Sequence, residues 1–251
     1  MPRENALYNT VAPLSNVAAM LELIDRVQNR SPSLPGMACY YGPSGYGKST
    51  AATYAENKFQ AVRVQMKSTW TPRKLCQVIL QEMGQRPVKT VCDMVEQICE
   101  QLAVLDVPLL IDEADCLVKH KMVELARDMH EGSGAPVILI GEERLPQKLT
   151  KWERVHGRML DWTAAQPGTL ADLVHLAGIY APNVTLGDAI KKAIDEASRG
   201  SIRRICTNLE QVAEFAATRG LQEVDLDHWK GRNFFEGIAP QPRRFEAQTA
   251  V

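Results

Sequence analysis

Gly42-Pro43-Ser44-Gly45-Tyr46-Gly47-Lys48-Ser49 fits the pattern G-x-x-x-x-G-K-[ST] at every fixed position. Average residue frequencies put the chance of an accidental match in a chain of this length at about one in a hundred. The spacing follows from what a phosphate needs: donors and positive charge without steric bulk. Gly42, Gly45 and Gly47 let the backbone curl so that successive N–H groups point inward. A helix is expected to begin near Lys48, and its N-terminal dipole favours the same anion. Lys48 adds a mobile ammonium for the β- and γ-phosphates, and the Ser49 hydroxyl is a magnesium ligand. Pro43, Ser44, Tyr46 and Thr50 complete the phosphate-binding stretch. The flanks suit it, because residues 37–41 read as a buried strand and residues 50–57 as a helix.

A second signal lies downstream. Residues 107–111 form an apolar run suited to a parallel strand buried on both faces, and it ends in Asp112 and Glu113. Asp112 is expected to hold the magnesium shell through water, and Glu113 to orient or deprotonate an attacking water. The adjacent Glu favours an ATPase over a GTPase. The letters D-E-A-D at 112–115 are a coincidence of spelling. A helicase of that name needs two tandem domains, and 251 residues with one phosphate loop leave no room for the second.

Composition sets bounds. Apolar residues make up 45% of the chain, enough for a substantial core, and the formal net charge is −1. A neutral chain has no global basic field, so any nucleic-acid contact must come from a local patch or a repeated assembly. Six cysteines are scattered with no C-x-x-C, which suits reduced structural thiols in a cytoplasm. No signal-peptide pattern and no apolar run of membrane-spanning length is present, so no membrane partner is expected.

Along the chain, Ser15 or Asn16 is expected to cap a helix whose apolar face carries Val17, Met20, Leu21, Ile24 and Val27. Residues 31–36 read as a linker. Residues 61–66 alternate like a strand, a helix opens at Thr71 and Pro72 and runs to Met83, and another spans 91–105. A helix is expected over 121–130, a turn over 131–134 and a strand over 135–140. This alternation implies an α/β, three-layer P-loop sandwich with a parallel sheet. Beyond Pro167 no strand is evident. Helices are expected over 170–180, 186–198, 201–219 and 225–229, forming a small lid. The division is then an N-terminal helix and linker at 1–36, a nucleotide-binding core at 37–166, a helical lid at 167–235, and a disordered tail at 236–251.

With these motifs in this order, the chain resembles the AAA+ ATPases over roughly residues 10–230. The resemblance implies ATP and Mg²⁺ as ligands, and hydrolysis coupled to assembly of a homo-oligomer. It places Glu142, after the strand that ends at Gly141, at the sensor 1 position, where the family commonly has Asn, Thr, Ser or Gln. It makes Arg158 or Arg154 the arginine finger that reaches a neighbouring subunit's γ-phosphate. It makes Arg203, three residues after Gly200, the sensor 2 arginine of the lid. By analogy, adenine contacts fall near residues 10–13.

Within that family, residues 138–145 and 200–209 are most similar to the transposition regulators, including the phage Mu B protein and transposon helper ATPases. They are also similar to the ExeA-type secretion ATPases. The first resemblance implies a ring or filament on double-stranded DNA, bound without sequence preference, that recruits a transposase. The DNA-facing segment after the second strand is then Lys67, Ser68, Thr69, Trp70, Arg73 and Lys74. A few cations per subunit, repeated along a filament, give salt-dependent binding despite a neutral monomer. The competing readings are an AAA+ helicase or initiator loader that remodels a protein partner, and a secretion-type ATPase that does not bind DNA.

Overall fold

The computed structural model describes residues 14–239. Its main sheet contains Met37–Tyr41 (β1), Val62–Gln65 (β2), Leu109–Asp112 (β3), Val137–Gly141 (β4) and Met159–Ala164 (β5). All neighbours are parallel and the order is β2-β3-β4-β1-β5. The expected α/β sandwich is what forms.

Strand alternation divides the core in two. On β1, Ala38 and Tyr40 face one hydrophobic cluster, and Met37 and Cys39 face the other. The first cluster is covered by Ser15–Gln28 (α1), Lys48–Phe59 (α2) and the C-terminal helices Leu170–Tyr180 (α9), Asp188–Ser198 (α10) and Ile202–Arg219 (α11). The second is covered by Pro72–Glu82 (α3), Val91–Leu105 (α4) and Val123–Ser133 (α6). Between these lie three short helices, Asp115–Lys119 (α5), Leu145–Leu149 (α7) and Glu153–His156 (α8).

Several expectations need correction. The turn expected at 131–134 is the last turn of α6, closed by Gly134 in the left-handed region at φ 72°. Strands do occur after Pro167: Thr185–Leu186 (β6) and Glu223–Val224 (β7) form a small parallel pair. The last expected helix is a 3₁₀ turn over Leu226–Trp229. β5 was not expected at all. Each of its residues is half-buried, so it shows no period-2 pattern. Of the tail expected to be disordered, Glu236 pairs with Arg199 at 3.0 Å, and residues 240–251 lie outside the described residues.

The start of α1 also differs from expectation. Neither Ser15 nor Asn16 caps it. Asp172 of α9 does so instead, accepting from the Ser15 backbone N–H and from its hydroxyl, both at 2.9 Å. All six thiols are free. Among the described residues no helix is long and apolar enough to cross a membrane.

Candidate functional site

Loops leaving the C-terminal ends of β1, β3 and β4 meet at one edge of the sheet, the usual ligand crevice of an open parallel sheet. The stretch from Gly42 to Ser49 follows β1. Gly42 N–H donates to the Gly141 carbonyl at 3.3 Å, tying the loop to the end of β4. Gly45 and Gly47 hold φ of 89° and 81°, which only glycine adopts freely. A Cβ on Gly45 would also lie 2.6 Å from the Ser201 hydroxyl. Gly47 precedes α2 without a side-chain cap, so the first N–H groups of a 12-residue helix are open to an anion. The Lys48 ammonium donates to the carbonyls of Gly42 at 2.7 Å and Pro43 at 2.8 Å.

The loop is braced from behind by a residue the sequence reading treated only as a possible cap. Asn16 is buried, and its amide donates to the carbonyls of Tyr46 at 2.9 Å and Gln166 at 2.7 Å. Its Oδ1 accepts from Gln166 N–H at 2.8 Å. One side chain therefore joins α1, the phosphate loop and the exit of β5.

Asp112 ends β3 and is 2% exposed. Glu113 follows at φ 57°, a left-handed backbone that disfavours a residue with a Cβ. Burial, and then the charge of Asp112, push the Glu113 carboxyl above the ordinary glutamate value. Burial pushes the Lys48 ammonium down, while Asp112, Glu113, Glu142 and Asp115 pull it back up. Two carboxyl groups and an ammonium thus share one edge. Glu142 is exposed at the end of β4, and its N–H donates to Asp115 Oδ2 at 2.7 Å. Asp115 also takes Lys148 at 2.5 Å, so it ties the loop after β4 to α7.

The start of α11 closes the site from the other side. Arg203 N–H donates to the Gly45 carbonyl at 3.1 Å, and its guanidinium reaches the Ser44 hydroxyl at 3.5 Å. A cleft of about 620 Å³ lies between, lined by Lys48, Ser49, Thr50, Glu113, Glu142 and Arg203 among others.

Two expected groups lie elsewhere. Arg158 sits at the N-terminal end of β1, where its carbonyl accepts from Met37 N–H at 3.0 Å. Its guanidinium pairs with Glu131 at 2.7 Å. Arg154 is exposed in the preceding α8 and lines the same surface hollow as Arg158. This edge is opposite the phosphate loop, so neither arginine lines the cleft beside Lys48. The segment expected to face DNA follows β2, with Lys67, Ser68, Thr69, Arg73 and Lys74 exposed. Trp70 is half-buried and packs against the second core cluster. Thr71 caps α3 by accepting from Lys74 N–H at 3.3 Å. Residues 10–13, expected near adenine, fall outside the described residues.

A family model described as an AAA domain matches residues 30–149. The fold likeness extends past its bounds. ORC2 of Aeropyrum pernix superposes with a TM-score of 0.61 at 15% identity, over 84% of this chain and 65% of that one. ORC1 of the same organism, solved in complex with DNA, gives 0.61 at 19%, over 85% and 62%. The RuvB Holliday junction branch migration motor of Thermotoga maritima gives 0.58 at 19%, over 85% and 66%. At these identities the likeness is one of fold. The chain spans under two thirds of the length of either ORC protein. No curated protein matches by sequence.

Proposed function

We propose that the chain is an ATP-hydrolysing switch that assembles on duplex DNA and recruits a transposase. The observation that carries the nucleotide reading is the cleft between the phosphate loop and α11. Its open helix terminus, its glycine cradle and Lys48 suit a polyphosphate. Ser49 and Asp112 are the residues to hold magnesium, which when bound neutralises phosphate charge and keeps the reacting oxygens aligned. Glu113, with its carboxyl pushed up, takes a proton from the attacking water. Lys48 moves from its loop carbonyls to phosphate oxygens. Arg203 links phosphate occupancy to the C-terminal helices, because its backbone already rests on Gly45.

Assembly is favoured by the position of Arg154 and Arg158. They lie across the sheet from their own site, where an arginine donated to a neighbour has to sit. The DNA reading is supported by the exposed cations Lys67, Arg73 and Lys74 and by the fold likeness to an ORC1 solved with DNA. The transposase rests on the resemblance in residues 138–145 and 200–209. That same fold likeness favours a second reading, a loader of the replication-initiator kind.

Labelled random-sequence duplex, titrated with protein in ATP or in ADP, tests the proposal. Tight binding in ATP, release in ADP and persistent binding by Glu113→Gln in ATP are expected. Failure to bind DNA in ATP at low salt would contradict it. Nucleotide-gated binding to DNA without capture of a transposase would favour the loader.

A further inference from the structure

Arg63 sits on β2, an edge strand of the main sheet. Its neighbours Val62 and Val64 are buried in the second cluster, and Arg63 points to the opposite face, toward α2. Its side chain is only 16% exposed, and its Nε is buried without a partner. A guanidinium in that setting is costly unless its charge is matched, and a packed apolar side chain would serve the core at least as well. Its partners show where the charge is directed. One Nη donates to Asp112 Oδ2 at 3.1 Å. The other donates to the Thr53 hydroxyl at 2.7 Å and approaches Glu56 at 3.5 Å. Thr53 lies one turn after Ser49 and donates to its carbonyl at 3.1 Å. The guanidinium therefore bridges the two elements that carry Ser49 and Asp112.

Each oxygen of Asp112 therefore already has a partner. Its Oδ1 accepts from Glu113 N–H at 2.9 Å and its Oδ2 takes Arg63. A divalent cation held through Asp112 must draw on the same carboxylate, beside a fixed positive charge.

We propose that Arg63 is a built-in competitor for the divalent cation. It holds Asp112 in place when no metal is bound, gives up part of that hold when one arrives, and so weakens the site's metal affinity. The consequence is a site that stays formed without metal and releases it readily once the γ-phosphate is gone. This inference rests on the nucleotide reading above, and Arg63 is a positioning residue acting through Asp112.

The test uses the full chain as wild type, Arg63→Gln and Arg63→Lys. ADP affinity is measured first in EDTA with a fluorescent ADP analogue, and Mn²⁺ is then titrated into each ADP complex and followed by electron paramagnetic resonance. Removing the charge should leave ADP affinity in EDTA within about two-fold and tighten Mn²⁺ binding by about ten-fold. The Lys variant, which keeps the charge, should stay near wild type. Unchanged or weaker Mn²⁺ binding in the Gln variant would overturn the inference, because Arg63 would then serve only to orient Asp112. If the Gln variant does not fold, the side-chain ¹⁵N resonance of Arg63 in the wild-type ADP complex decides. It should shift when magnesium is added, and a static resonance would overturn the inference. Failure of every version to bind ADP would instead strike the nucleotide reading, and this inference with it.

Discussion

At φ 57°, Glu113 is bent into a conformation that glycine would adopt without strain. No packing need explains a glutamate there, but a carboxyl aimed into the cleft does. Glu113→Gly should therefore raise stability by about 1 kcal/mol in denaturant unfolding while abolishing hydrolysis. A variant less stable than wild type would mean that the glutamate side chain contributes more to the fold than its backbone costs. The same scale shows what a sequence reveals and what it hides. Lys48, Ser49 and Asp112 are legible because the chemistry of the phosphate site is written in short, fixed spacings. Arg63 and Asn16 are not, because their meaning comes from partners 49 and 150 residues away. Nothing local marks Arg63 as more than a charge in a strand. Trp70 shows the reverse difficulty. The resemblance put it in the DNA-facing segment, and the structure shows it half-buried against the core.

α4 over 91–105, with a clear amphipathic period, and α9 over 170–180, with its Thr169 cap, match their sequence patterns to the residue. β5 and the short helices α7 and α8 do not, since an edge strand with every residue half-buried carries no period. α1 is an intermediate case. Its apolar face was readable, but its start is capped by Asp172, from α9. Burial alone would push the Asp172 carboxyl up. Hydrogen bonds from Thr169 and Ser15 outweigh that and hold it below the ordinary 3.8. A depressed folded value means the stabilisation is complete above 3.8 and is lost as pH falls through the folded value. Asp172→Ala should thus cost about 2 kcal/mol near neutral pH. In thermal unfolding at matched pH, the gap between wild type and variant should close below about pH 4. A gap that persists in acid would show that packing, not the charged cap, supplies the contribution.

Taken as a whole, the molecule holds two sets of charged residues at opposite edges of its sheet. Lys48, Asp112, Glu113 and Arg203 gather at the C-terminal edge, while Arg154 and Arg158 stand at the other, beside Glu131. The three-layer architecture was legible from the order of strands and helices. The separation of the two sets was not, because it depends on β5 lying next to β1. Under the proposed function the two sets meet between subunits, and mixing two defective proteins tests that. Lys48→Ala removes the phosphate lysine but keeps both arginines. The double variant Arg154→Ala/Arg158→Ala keeps a complete phosphate site. Each alone should hydrolyse ATP at least about a hundred-fold more slowly than wild type in the presence of duplex DNA. Mixed in equal amounts, they should recover a substantial fraction of wild-type turnover, because the intact site of one is then completed by the arginine of the other. Two inactive proteins that stay inactive on mixing, or an arginine double variant that hydrolyses ATP normally by itself, would contradict a site shared between neighbours.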